Sequence, residues 1–542
     1  MRIILLILIS FLINFHSTAQ PREFEWASQC GNPSNTTDAK TTLAGADNGY
    51  FYMAGEFLGT VQFGNKSLVS AGGTDIWLVK NTPEGAPVWS IRMGGNDDDF
   101  VWKIVSDNED NVTMTGYYYG TIQIGNDIYT SQGSQDLFIA RFDGEGNYLW
   151  SYTLGGGMAD YIRGLATDSG GNLFLAGHFY DSFIVGDTTV TAARGSDAFV
   201  IKFSPDGQPA WVTTAGGSSS DQASSVTIDS EGNILLAASF YYDITFGDTT
   251  LHTPNPVGVA IARYFPDGGL DRVFQLNGTY LTTENLIRAG LEGQFYVAGN
   301  FSEKLFFGNK TFDAGEFNQD IFTAAFGQDM ELLWARHGFS TASDQVVGLD
   351  TDPYGNVYIA GHYLDTIRFD QLKLQYTLCC GSREIFIVSY SSGGAAVWGE
   401  QISGARANLQ SIEMIENGKM ILSGMFTEDL AFGPHVLSHW EGFRNYASSL
   451  ETGLITGTPA INNSLANIVL SPNPARTKIQ IHSAKPLTGM NYTVFKLNGS
   501  VAMEGAMTSN SIDIQNLAPG LFLLRIWNEQ EDLTLTAKFI RQ

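Results

Sequence analysis

The chain has 542 residues, a net charge of −26, 60 glycines and 12% aromatic residues. An acidic, lysine-poor surface argues against nucleic acid and anionic membrane as partners, because phosphate recognition needs clustered cations. Three cysteines (Cys30, Cys379 and Cys380) are too few for a disulfide framework and supply no zinc ligand set.

The N-terminus reads MRIILLILISFLINFHSTA. One Arg, an apolar run from Ile3 to Phe15, and Ser17 and Ala19 in small-x-small spacing predict a secretory signal peptide over 1–19. The run is too short for a membrane span, and no later stretch reaches 18 apolar residues, so no transmembrane segment is expected.

From there the chain repeats itself. Trp26, Trp89, Trp150, Trp211, Trp334 and Trp398 recur every 60–64 residues, with Phe274 filling the gap. A small residue closes an apolar run at Gly55, Gly116, Gly177, Ala238, Gly299, Gly361 and Gly424. Nine residues later stand Gly64, Gly125, Gly186, Gly247, Gly308, Asp370 and Gly433. Alternating segments such as DIWLVK (75–80) and DAFVIK (197–202) form a third marker, and turns such as DSGGN (168–172) a fourth. Each copy thus predicts four strands and a loop of roughly twenty residues. Seven copies predict an all-β, seven-bladed β-propeller over 20–455, with FEWASQCG as a lone fourth strand that closes the ring and removes its open edge.

WSYTLGGGMADYIRGLATDSGGNLFLAG (150–177) resembles the β-propeller repeat family with D-x-F-V-x-K, W and GG, D-G-N and Y-x-x-G words, the SBBP-like repeat. That resemblance implies a fold and no activity. Composition shifts at 456–466, a linker. Residues 467–542 then resemble the type A C-terminal sorting domain of the type IX secretion system. Pro472-Asn473-Pro474, Leu497-Asn498-Gly499, Leu517-Ala518-Pro519-Gly520 and Lys538-Phe539-Ile540 carry the likeness, with Ser471 where an aromatic is usual. It implies a small β-sandwich, the type IX machinery as partner, and a destination outside a Gram-negative cell, secreted or on the surface.

No catalytic motif stands out, so function is expected in the propeller. Three sets of residues are candidates. Asp99, Asp160, Asp221, Glu284 and Asp344, with Asp38 and Asn408, open the first strand of each copy. They cap turns or form an acidic ring suited to a cation such as calcium. His178 and His362 follow the small residue, where other copies place Glu56, Tyr117, Ser239, Asn300 and Met425. They are expected as variable surface residues that share no metal, and as candidates for a ligand-binding face with Tyr117, Tyr118, Tyr119, Tyr180 and Tyr363. Tyr117, Tyr118, Tyr119, Phe179, Tyr180, Tyr241, Tyr242 and Tyr363 either line a ligand mouth or fill gaps between blades. The expected role is a non-catalytic binding or adhesion module for glycan or protein. The alternatives are a hydrolase or lyase acting at the axial channel, and a structural part of a surface layer.

Overall fold

The computed structural model describes residues 22–34, 40–378, 382–404, 406–415, 418–438, 443–452, 469–471, 476–482, 487, 490–496, 501–507, 509–517, 520–528 and 533–541. The signal segment, Asp38, Cys379, Cys380, Pro472–Pro474 and Gly499 lie outside them. Two compact units divide the chain, Met1–Gly457 and Thr458–Gln542.

In the first unit, four consecutive strands pair antiparallel in each repeat. Blade 2 shows the pattern: Asp99–Ser106, Val112–Tyr118, Asp136–Phe142 and Tyr148–Leu154. Seven such sets follow from Thr41 to Glu451. The seventh, made of Ala407–Ile415, Lys419–Phe426 and Phe443–Glu451, takes its fourth strand from Phe24–Ser34, with Phe24 opposite Leu450 and, after a one-residue shift, Trp26 opposite Ser449 through Cys30 opposite Asn445. Each first strand neighbours the first strand of the next blade, and that of blade 7 neighbours that of blade 1, so the ring closes around an axis. Second and third strands such as Phe51–Phe57 of blade 1 and Glu384–Tyr390 of blade 6 are buried along their whole length, whereas the first strand of blade 2 alternates between buried and half-buried residues. Apolar alternation therefore places the core between blades and leaves one side of each first strand facing the channel.

The twenty-residue segments between second and third strands contain a further hairpin rather than an irregular loop. In blade 2 it is Thr121–Ile124 paired with Asp127–Thr130. The glycine nine residues after the small residue is its turn, held at φ between +53° and +60° at Gly125, Gly186, Gly247 and Gly308. Asp370 adopts φ +53° in blade 6 without a glycine. These hairpins pair with the fourth strand of the preceding blade: Ala215 opposite Phe246, Asn277 opposite Phe306, Gly338 opposite Phe369. Each is a stitch between blades.

The tryptophan repeat is a second stitch. Trp26, Trp89, Trp150, Trp211 and Trp334 donate from Nε1 to carbonyls in the last turn of the next blade, at Pro83, Gly144, Pro205, Pro266 and Ser392, over 2.9–3.2 Å. That turn presents Gly85, Gly146, Gly207, Gly268 or Gly394, all near φ +80°, and a Cβ there would sit 2.4–3.0 Å from the indole. Where Phe274 replaces the Trp, Met330 takes the turn position at φ +61°. Trp398 faces blade 7, which has no such turn because its fourth strand comes from the N-terminus, and its Nε1 has no partner among the described residues.

The second unit holds two antiparallel sheets of three and four described strands around Ile479, Ile481, Val494, Ile512, Leu524 and Ile526. Gly520 opens the strand Gly520–Asn528, and Lys538 pairs through its backbone with Leu523.

Candidate axial binding site

The first strand of most blades slips by one residue against the second. The register breaks between Val101 and Lys103, Ile162 and Gly164, Ala223 and Ser225, Val346 and Gly348, and Leu409 and Ser411. Each break is a bulge, which leaves one residue unpaired and re-aims its side chain. The extra residues are Trp102, Arg163, Ser224, Val347 and Gln410, and all five line one end of the axial channel. The small residue of strand two accommodates the bulge. A Cβ at Gly116, Gly177 or Gly361 would lie 1.9 Å from the carbonyl oxygen of Phe100, Tyr161 or Gln345, too close for any side chain.

The mouth so formed is a cavity of about 650 Å³, a size typical of small-ligand pockets, and a second cavity of about 590 Å³ continues along the axis. Lys103 and Arg163 line both. Lys40 Nζ sits 3.0 Å from the Trp102 ring centroid and the Arg163 guanidinium carbon 4.5 Å from it, so one indole gathers two cations. Arg383 adds a further positive charge and Glu284 a negative one. Burial brings the Lys40 amine down to about 7, opposed by Glu56 and Glu284 and assisted by Lys103 and Arg163. Burial also lowers Lys103. Deeper in the channel the charges are matched. Arg288 pairs with Asp350 at 2.7 Å, Asp350 accepts from Met414 N at 2.7 Å, and Glu413 accepts from Gly45 N at 3.2 Å.

Most of the sequence candidates fall elsewhere. Asp99, Asp160, Asp221 and Asp344 are at most 1% exposed, which removes them from an open ring. Asp99 accepts from Gly95 N at 2.7 Å and Asp160 from Gly156 N at 3.0 Å, so both tie down the turn entering their strand. Burial lifts Asp99, Asp221 and Asp344 to about 8 and Asp160 to about 7. Glu284 departs from this set and is exposed at the axial mouth, as is Asn408. Among the described residues, no three of the His, Cys, Asp and Glu side chains come together as a metal cluster.

The histidines are not surface residues: both are 2% exposed. His362 Nε2 accepts from Leu409 N, 2.8 Å away in the next blade. Asn300, at the same place in blade 5, accepts from Val346 N at 3.2 Å and donates to Asp344 O at 2.7 Å, again one blade on. The position after the small residue is therefore a clasp between blades. His178 stacks on Tyr161 with centroids 4.8 Å apart. Burial pushes both imidazoles down to about 3, so they are neutral at ordinary pH.

The aromatic group divides. Tyr118, Phe179 and Tyr363 are buried to within 1% and belong to the interblade cores. Tyr117 is half-buried and stacks on Phe100 at 4.9 Å, while Tyr180 lies edge-on to His178. Tyr119 is partly exposed and donates to Gln135 Oε1 at 2.8 Å. Tyr242 is exposed. Packing, not a common mouth, explains most of them, because the strand-two ends that carry them run between blades.

Of the residues at the axial mouth, Glu284 and Asn408 were among the sequence candidates, and Lys40, Trp102, Lys103, Arg163 and Arg383 were not. A signal existed: Lys40, Lys103, Arg163 and Arg288 put a cation in or beside the first strand of four blades of an acidic chain. The bulges left no mark in the period of the sequence.

Comparison with known proteins bears on the tail. Residues 470–542 match the secretion system C-terminal sorting domain. The chain carries a type IX sorting tail. A sorting domain of this kind implies contact with the secretion machinery and export to the cell surface or beyond. A WD repeat-containing protein of Acanthamoeba polyphaga mimivirus is 23% identical over 453 residues, 65% of this chain, and the match spans about a third of that relative's length (32%). Among solved structures, PorZ, a surface component of the type IX secretion system of Porphyromonas gingivalis, is 10% identical at a TM-score of 0.21, covering 92% of this chain and 81% of its own. The extracellular domain of a hybrid two-component system, BT4673, from B. thetaiotaomicron is 8% identical at a TM-score of 0.22, covering 95% and 99%. Among the described residues, no helix is long and apolar enough to cross a membrane.

Proposed function

We propose that this protein is an exported binding module whose ligand seat is the axial mouth of the propeller. One observation carries the reading. A bulge repeated in five blades, against a strand-two small residue, turns a side chain of a different type into the channel each time: indole, guanidinium, hydroxyl, isopropyl and carboxamide. A constant frame that presents variable side chains to one cavity is how a binding surface is built on a rigid scaffold. The sorting tail supports the reading by delivering that cavity to the outside of the cell.

Blocking the mouth tests it. Val347 lies on a bulge, and Val347→Trp should fill the channel entrance without touching the interblade stitches. Glycan-array and surface-protein capture by the wild-type protein should be lost in V347W. Capture unchanged in V347W would place the ligand elsewhere and refute the axial seat.

A further inference from the structure

Resting on the axial seat, we infer that the ligand is an anionic saccharide, one whose carboxylate, sulfate or phosphate group lies between Lys40 and Arg163. The charge distribution points there. The whole chain carries 56 acidic groups against 30 basic ones, so a cation in a cavity would ordinarily find an acid. Arg288 does, at Asp350. At the mouth, Lys40, Lys103, Arg163 and Arg383 form no ion pair within 4 Å among the described residues. Like charges held together in a partly buried cavity repel one another; Glu56 and Glu284 offset part of that repulsion, and an anion between Lys40 and Arg163 removes more of it. Trp102 positions the pair: its ring holds Lys40 and Arg163, and its Nε1 donates to the Arg163 carbonyl at 3.3 Å.

The remaining lining argues for a sugar rather than a bare ion. Gln222, Gln345 and Asn408 line the mouth beside the cations. Carboxamides donate and accept in the same group, as sugar hydroxyls do, so the two sets pair in either sense. The cavity volume of about 650 Å³ suits a short oligosaccharide and is far too small for a folded partner.

Lys40 also sets a pH signature. The groups facing it are Glu56, Lys103, Arg163 and Glu284. With its amine near 7, the cationic form that an anion prefers is lost as pH rises through neutrality. Affinity should fall between about pH 6 and 8 while Arg163 stays charged throughout.

The experiment is calorimetric titration of the full chain with trigalacturonate, its methyl ester, a sulfated disaccharide, glucose 1-phosphate and inorganic phosphate. Binding of at least one anionic sugar, with tenfold or greater loss in R163Q, partial retention in R163K and tenfold or weaker binding of the uncharged ester, is the expected result. Inorganic phosphate binding as tightly as every sugar would overturn the saccharide assignment. Equal affinity for the ester, no effect of R163Q, or no binding by any anionic probe at millimolar concentration would overturn the inference. If V347W abolishes capture while R163Q does not, the axial seat stands and the anionic ligand falls.

Discussion

Adding a methyl group at Gly207 should destabilise the propeller through the tryptophan stitch. Gly207 sits at φ +82°, and its Cβ would lie 2.6 Å from the Trp150 ring. Two costs add. A non-glycine residue in the left-handed region costs about 1–2 kcal/mol. Forcing a methyl into occupied space costs a further ~1–3 kcal/mol. Gly207→Ala should therefore cost about 2–5 kcal/mol. Gly247→Ala isolates the first cost, since Gly247 lies at φ +53° with nothing within 4 Å of its Cβ. Urea unfolding followed by tryptophan fluorescence would compare the two variants, and Trp150→Ala combined with Gly207→Ala should recover the steric part, because the indole is then gone. Equal losses in G207A and G247A, or strict additivity with Trp150→Ala, would refute the stitch.

Three further outcomes are expected. Stability should fall as pH rises from about 4 to 8, because Asp99, Asp160, Asp221 and Asp344 have folded values lifted by burial above the ordinary 3.8 and must ionise in place; urea midpoints for Asp99→Asn should show a shallower slope over that window, and an unchanged slope would count against the assignment. His362→Leu should cost about 1–3 kcal/mol by leaving Leu409 N without its acceptor, and His362→Asn should recover part of it, as Asn300 fills that role one blade earlier; equal loss in both variants would contradict the clasp. Phe24→Ala should cost about 3–5 kcal/mol, since Phe24 is 5% exposed and packs edge-on against Phe432 at 5.3 Å; hydrogen exchange should rise first across Phe443–Glu451, and uniform protection there would show that the closing strand contributes little.

Much of this molecule was legible without coordinates. Tryptophan spacing, the small residue of strand two and the Asp-to-Asn turns define the repeat, its four-strand rhythm and the borrowed N-terminal strand. They do so because each rests on a local rule: period-two burial, positive φ at a turn glycine, side-chain capping by Asp. The close-approach role of Gly177 and Gly361 also follows from that logic, and the structure places a carbonyl 1.9 Å from the missing Cβ. The sorting tail was legible through an ordered series of short words.

What surrounds those markers depended on the neighbouring blade. His178 and His362 read as surface residues because a strand's end looks exposed until the next blade covers it. The aspartates at the start of strand one read either as turn caps or as a ring, because equivalent positions share a face; Asp99 and Asp160 cap the turns entering their strands. The bulges that aim Trp102 and Arg163 into the channel carry no mark in the sequence, because a bulge is a misregister between two strands and exists only once both are paired. Sequence alone determined the repeat, its closure and its address, all set by contacts within about ten residues or by internal repetition. Tertiary structure decided which side chains meet at the axis, because that depends on the register of strand pairs and on seven first strands brought together from 41 to 415.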